Sequence, residues 1–170
     1  MSCISKILGL KGNKEYILSN NKSVAVEDGG IYKCYEYLIT FVRGGHRCGY
    51  IALSENHPLN KYNLVNEYPD NFIIKVHGGI TLHEESRGEE FGLKENSCKD
   101  KWIGFDAAHC DDLPDMNLSK KIFRVQIYDD AFINEMKQFP TVKVRTKKYM
   151  INQCKKLIDQ VIKYEMENKE

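Results

Sequence analysis

YEYLITFVRGGHRCGYIAL, residues Tyr35 to Leu53, is the stretch that decides the fold. Tyr35, Tyr37, Ile39 and Phe41 alternate with their neighbours, the period of a strand with one buried face. Gly44-Gly45 follows, and glycine enters positive φ at low cost, so the chain can reverse there. Beyond the turn, Cys48, Tyr50 and Ala52 share one face and Gly49, Ile51 and Leu53 the other. The pattern predicts a hairpin, Tyr35–Val42 with Arg47–Leu53.

Downstream, Ser54–Asp70 reads as a long loop carrying Pro58 and Pro69. Phe72–Val76 is rich in β-formers and is expected to be a central strand. Gly78-Gly79 interrupts it, and Ile80–Leu82 resumes it. Gly88–Lys101 reads as a flexible excursion and Trp102–Phe105 as a short strand. Asp129–Gln138 suits a short helix ended by Pro140. From Thr146 the period changes. Tyr149, Met150, Cys154, Leu157, Ile158, Val161 and Ile162 recur at three- and four-residue steps, one face of an amphipathic helix of about five turns. Strands first and a long helix last predict an α+β domain. Its sheet is mixed or mainly antiparallel, with the C-terminal helix packed on it. Upstream, residues 1–30 are polar and read as a loosely held extension with one short strand at Glu15–Leu18. The globular domain is expected over 31–164, and a flexible tail over 165–170.

Composition narrows the functional classes. The chain has 170 residues, 42% hydrophobic and 29% charged, with a net charge of +1. That suits one domain with its own core. No global charge calls for long nucleic acid or an anionic membrane, and no apolar run approaches the roughly 18 residues of a span. The first residues are too short and polar an apolar segment for a signal peptide. The six cysteines form no C-x-x-C pair, and they read as reduced thiols of a cytoplasmic protein. Cys48 and Cys110 are the two near histidines.

The polar residues cluster at turns and strand ends, where rigid elements can aim side chains into a shared cleft. His77 ends the Phe72–Val76 segment. Gly78 and Gly79 can turn the backbone sharply and leave N–H groups open to an anion, although a β-bulge needs glycines without any ligand. Asp106 and His109 are three residues apart, on one face of a helical turn, with Asp112 a turn further on. An aspartate on one imidazole nitrogen fixes the tautomer and raises the basicity of the other, which suits acid–base work. The local alternative is that Asp106 only caps its own turn. His46 sits at the hairpin tip as a turn residue or a ligand contact, and His57 before Pro58 reads as a loop anchor. His83, beside Glu84-Glu85, reads as surface. His77, His109, Asp106 and Asp112 could also offer two nitrogens and two oxygens to Zn²⁺ or Mn²⁺. No H-x-H or H-E-x-x-H motif supports that reading, so catalysis without a cofactor is the favoured one.

The sequence resembles a family of small, largely uncharacterised proteins of bacteriophages, prophages and low-GC bacteria. The resemblance rests on Gly45-His46-Arg47-Cys48-Gly49-Tyr50-Ile51, His57-Pro58, Val76-His77-Gly78-Gly79-Ile80-Thr81 and Trp102-Ile103-Gly104-Phe105-Asp106-Ala107-Ala108-His109-Cys110-Asp111-Asp112. It continues through Tyr149, Met150, Cys154, Leu157 and Gln160. Ala107 stands where many relatives carry cysteine, which argues against a nucleophile there. Residues Glu84–Asp100 are longer than the usual connection and could form a lid. A phage setting implies an accessory, anti-defence role. The implied chemistry is cleavage of a nucleotide second messenger, a metal-independent phosphodiesterase or nucleotide hydrolase, in the host cytoplasm. His77 and His109 would share acid–base duty and Asp106 would orient His109. His46, Thr81, Asp112 and the Gly78 and Gly79 N–H groups would contact the ligand, with Tyr50 or Trp102 stacking on a base. Two alternatives are a sponge that holds the nucleotide intact, often a homo-oligomer, and an inhibitor docking on a host protein through Glu84–Asp100.

Overall fold

A computed structural model describes residues 2–70, 72–95 and 97–168. The expected hairpin forms with the expected bounds, as strands β3 (Tyr35–Val42) and β4 (Arg47–Leu53), paired antiparallel with Leu38 opposite Tyr50. Around it the described residues build a six-stranded antiparallel sheet. In chain order its other strands are β1 (Ile17–Leu18), β2 (Val24–Tyr32), β5 (Leu82–Glu85) and β6 (Lys101–Asp106). The spatial order is β1-β2-β3-β4-β6-β5. The helices are α1 (Cys3–Gly9), α2 (Met116–Phe123), α3 (Asp130–Met136) and α4 (Lys147–Glu167).

The α+β reading therefore holds, with α4 laid across one face of the sheet. Thr146 caps α4 by accepting the Tyr149 N–H, and its stripe of Met150, Cys154, Leu157, Ile158 and Val161 is fully buried. These side chains pack on Ile39, Ile51, Ile103 and Phe105. Close approach depends on Gly49, where a Cβ would lie 2.6 Å from the Phe105 ring and 2.9 Å from Cys154 Sγ. The alternation that turns these residues toward α4 turns Leu38, Tyr50, Ala52 and Trp102 to the opposite face. No described helix is long and apolar enough to cross a membrane.

Three expectations are corrected. Residues 2–30 are not a loose extension. Cys3, Ile4 and Ile7 of α1 are fully buried beside Leu38 and Trp102, and β2 pairs with β3 along its length. Seven helical residues carry too few turns for their period to stand out in the sequence. Phe72–Val76 is not a strand. Phe72 packs on Tyr164, the rings tilted by 54° with centroids 5.0 Å apart, and α4 side chains take the hydrogen bonds that strand neighbours would supply. Gln160 Oε1 accepts the Lys75 N–H at 2.6 Å, its amide donates to the Lys75 carbonyl at 3.3 Å, and Gln153 Oε1 accepts the His77 N–H at 3.1 Å. The Glu84–Asp100 region is not a free lid, because Phe91 is buried against α1 and Asp100 accepts the Cys3 N–H and the Trp102 indole N–H. Of the expected tail, residues 165–167 continue α4, and residues 169–170 lie outside those described.

Two histidines brace the Ser54–Asp70 loop. His57 Nδ1 accepts the Leu59 N–H at 3.1 Å, the loop anchor expected beside Pro58. Its other nitrogen faces Glu165 at 3.0 Å. His83 is tied in rather than merely exposed: its Nδ1 accepts the Leu64 N–H at 3.2 Å. Burial lowers both imidazoles from the ordinary value of 6.5, against the opposing pull of Glu165 at His57. A folded value below the unfolded one means that stability is complete above about pH 6.5 and is lost as pH falls. The urea midpoint is expected to be level from pH 8 to 7 and to decline from about pH 6.5 downward. An unchanged midpoint at pH 5 would refute the assignment.

Candidate functional site

The site lies where the Gly78-Gly79 turn, the loop after β6 and the first turns of α4 meet. His77, His109 and Asp112 come together as expected, and Asp112 is the hub. It is 3% exposed. Its Oδ2 accepts the His77 Nε2–H at 2.8 Å and the His109 backbone N–H at 3.0 Å, and its Oδ1 accepts the Arg145 Nε–H at 2.5 Å. Burial pushes its pKa up, but the hydrogen bonds from Arg145, His77 and the His109 N–H outweigh burial and hold it below the ordinary carboxylate range. An ionised carboxylate only accepts, so the His77 proton sits on Nε2 and Nδ1 accepts the Tyr149 hydroxyl at 3.0 Å. Tyr149–His77–Asp112 is thus a continuous hydrogen-bonded line. The Arg145 guanidinium lies 5.3 Å over the Tyr149 ring.

His109 completes the group from the other side, its ring centroid 5.4 Å from that of His77. Its Nε2 is enclosed and has no hydrogen-bond partner. The imidazole sits over Gly78, where φ is +67° and a Cβ would fall 1.7 Å from His109 Nε2. Any other residue would meet both backbone strain and the ring itself.

No protein-family model, curated protein or solved structure matches the chain. The site therefore has to be read from its own geometry.

That geometry reassigns several roles. The spacing predicts Asp106 as the partner of His109, yet Asp106 Oδ1 accepts the Ala108 N–H at 3.0 Å and lies 3.8 Å from His109 Nε2, beyond a hydrogen bond. It caps its own turn, and Asp112 holds the ring of His77 and the backbone N–H, not the ring, of His109. Gly79 has φ +84°, but its N–H is committed to the Val76 carbonyl at 3.0 Å and is not open to an anion. His46 donates from Nδ1 to the Ala107 carbonyl at 2.6 Å and so braces the loop that carries His109. Thr81 is exposed just before β5, its N–H paired with the Gly104 carbonyl. Tyr50 and Trp102 pack on each other at 5.4 Å in the core on the α1 side of the sheet, so neither can stack on a base at this site. Ala107 is buried. Burial pushes the Cys48 thiol up to about 11, which keeps it protonated and a poor nucleophile.

Arg145, Tyr149 and Gln153 are neighbours of this cluster that the sequence pattern hides. Tyr149 and Gln153 fall on or beside the apolar stripe of α4. The readable signal is Gln153, a polar residue on that stripe which is 9% exposed in the fold.

Proposed function

We propose that the protein is a phosphodiester-cleaving hydrolase of a nucleotide signal, acting in the cytoplasm as a phage-type anti-defence factor. The observation that supports it best is the pairing of unlike imidazoles. His109 has a ring nitrogen without a partner, while His77 is wired between a buried carboxylate and a phenol. Proton transfer to and from a reacting phosphodiester requires that division of labour.

In the step that fits these groups, the Tyr149 oxygen takes the proton of an attacking 2′-hydroxyl as its own proton passes to His77 Nδ1. Asp112 stabilises the resulting imidazolium. His109, its side chain 36% exposed, is the acid and gives a proton to the leaving oxygen as the P–O bond breaks. The remaining Arg145 N–H groups face the phosphoryl charge. The 2′-oxygen–phosphorus bond forms as the old one breaks, leaving a 2′,3′-cyclic phosphate that water opens by the reverse proton route, and no proton is gained or lost by the site as a whole.

The test is incubation of the purified protein with cyclic dinucleotides, cyclic trinucleotides and cyclic ADP-ribose isomers in EDTA. Each mixture is chromatographed before and after heating. A new product peak is expected, falling about 10²–10⁴-fold in His109→Ala. Ligand that leaves the free pool and returns intact on heating would make the protein a sponge. Ligand that stays free throughout would remove the nucleotide reading.

A further inference from the structure

His77, His109 and Asp112 each offer one donor atom, and the three atoms all lie within 4.8 Å of one another. Two imidazole nitrogens and one carboxylate oxygen are a set that borderline divalent ions accept readily, Zn²⁺ above all. Two further observations belong with this set. The His109 Nε2 is buried without a partner, which is costly for a ring nitrogen unless something supplies one. The outer groups that orient metal ligands are also in place: Tyr149 on His77 Nδ1, and Arg145 on the Asp112 oxygen that faces away from His77.

We infer that His77, His109 and Asp112 form a binding site for a divalent transition-metal ion, with the fourth position open to water or an anion. The rearrangement it needs is small. His77 Nε2 and Asp112 Oδ2 stand 2.8 Å apart. Metal–ligand bonds of about 2.0–2.1 Å at tetrahedral angles place such atoms about 3.3 Å apart. The His77 proton moves from Nε2 to Nδ1, where the Tyr149 oxygen accepts it, so the ring stays neutral and Nε2 is freed for the ion. Asp106 stays outside the set, bonded to the Ala108 N–H. The guanidinium of Arg145 opposes the ion's charge, so the affinity is lower than that of a closed four-ligand structural site.

The inference uses the same cluster as the proposed hydrolysis but does not depend on it. If that hydrolysis is the function, a bound ion withdraws both imidazole lone pairs and stops proton transfer, making Zn²⁺ an inhibitor that EDTA relieves.

The test is titration of the chelator-stripped full chain with Zn²⁺ by calorimetry, with no nucleotide present, and with Co²⁺ followed by visible absorption. One ion per chain is expected, with the Co²⁺ band of a four-coordinate site. Affinity should fall at least tenfold in His109→Ala, and about tenfold in Tyr149→Phe, which removes only an outer hydrogen bond. Unchanged thermal midpoints would show that these variants fold. No binding, or equal binding by wild type and His109→Ala, would overturn the inference. Because the titration contains no nucleotide, zinc binding there together with no cleavage in EDTA would refute the hydrolase reading alone. Cleavage in EDTA without zinc binding would refute the metal site alone.

Discussion

Asp112→Ala is expected to lower the stability of the protein by about 3–5 kcal/mol, because it leaves a partly buried cation and a buried ring N–H without an acceptor. The Asp112 side chain is 1% exposed, and those of Arg145 and His77 are 14% and 12% exposed. Water can therefore restore little of what the carboxylate provided. The same carboxylate also accepts the His109 backbone N–H, so its loss frees the loop that carries that ring. Asp112→Asn retains one acceptor oxygen and the side-chain shape, and should recover part of the deficit. Urea denaturation at neutral pH gives both values. A loss under about 0.5 kcal/mol for Asp112→Ala, the range of ordinary surface substitutions, would show that the network is not coupled to the fold.

Removal of residues 2–10 is expected to be at least as damaging. Cys3, Ile4 and Ile7 are fully exposed to solvent nowhere in the fold, each with 0% accessibility. Burying such side chains contributes about 1.5–3 kcal/mol apiece, and a domain's whole margin is only about 5–15 kcal/mol. The truncation also uncovers Leu38 and Trp102 and removes the Cys3 N–H from Asp100. The truncated chain should show a broad, low thermal transition and bind a hydrophobic dye. Ile4→Ala, expected to cost about 2–5 kcal/mol, is a milder check if the truncation does not accumulate. A wild-type midpoint for both would mean that α1 is dispensable.

The hairpin and α4 were legible because their periods, two and 3.6, run long enough to be unambiguous. Phe72–Val76 misled because β-propensity mainly reports residues suited to a half-buried surface. Here that surface is a helix, and Ile73 is left 75% exposed. Three members of the site were legible because strand ends and turns place them: His77, His109 and Asp112. The choice between Asp106 and Asp112 was not, since both stand three residues from His109 and only the path of the loop decides which carboxylate turns inward. Tyr149 and Arg145 lie more than 30 residues beyond His109, so no local spacing could connect them with it.

Gln153 and Gln160 are seven residues apart, two helical turns on one face, and they grip a stretch of chain made some eighty residues earlier. The helix thus works as a ruler against which His77 is positioned. Synthesis runs from the N-terminus, so the sheet can form while His77 still lacks its anchor. The cluster around His77 is fully anchored only after residue 160 has been added. A ribosome-bound or prematurely ended chain would be folded in outline, with His77 not yet held in place.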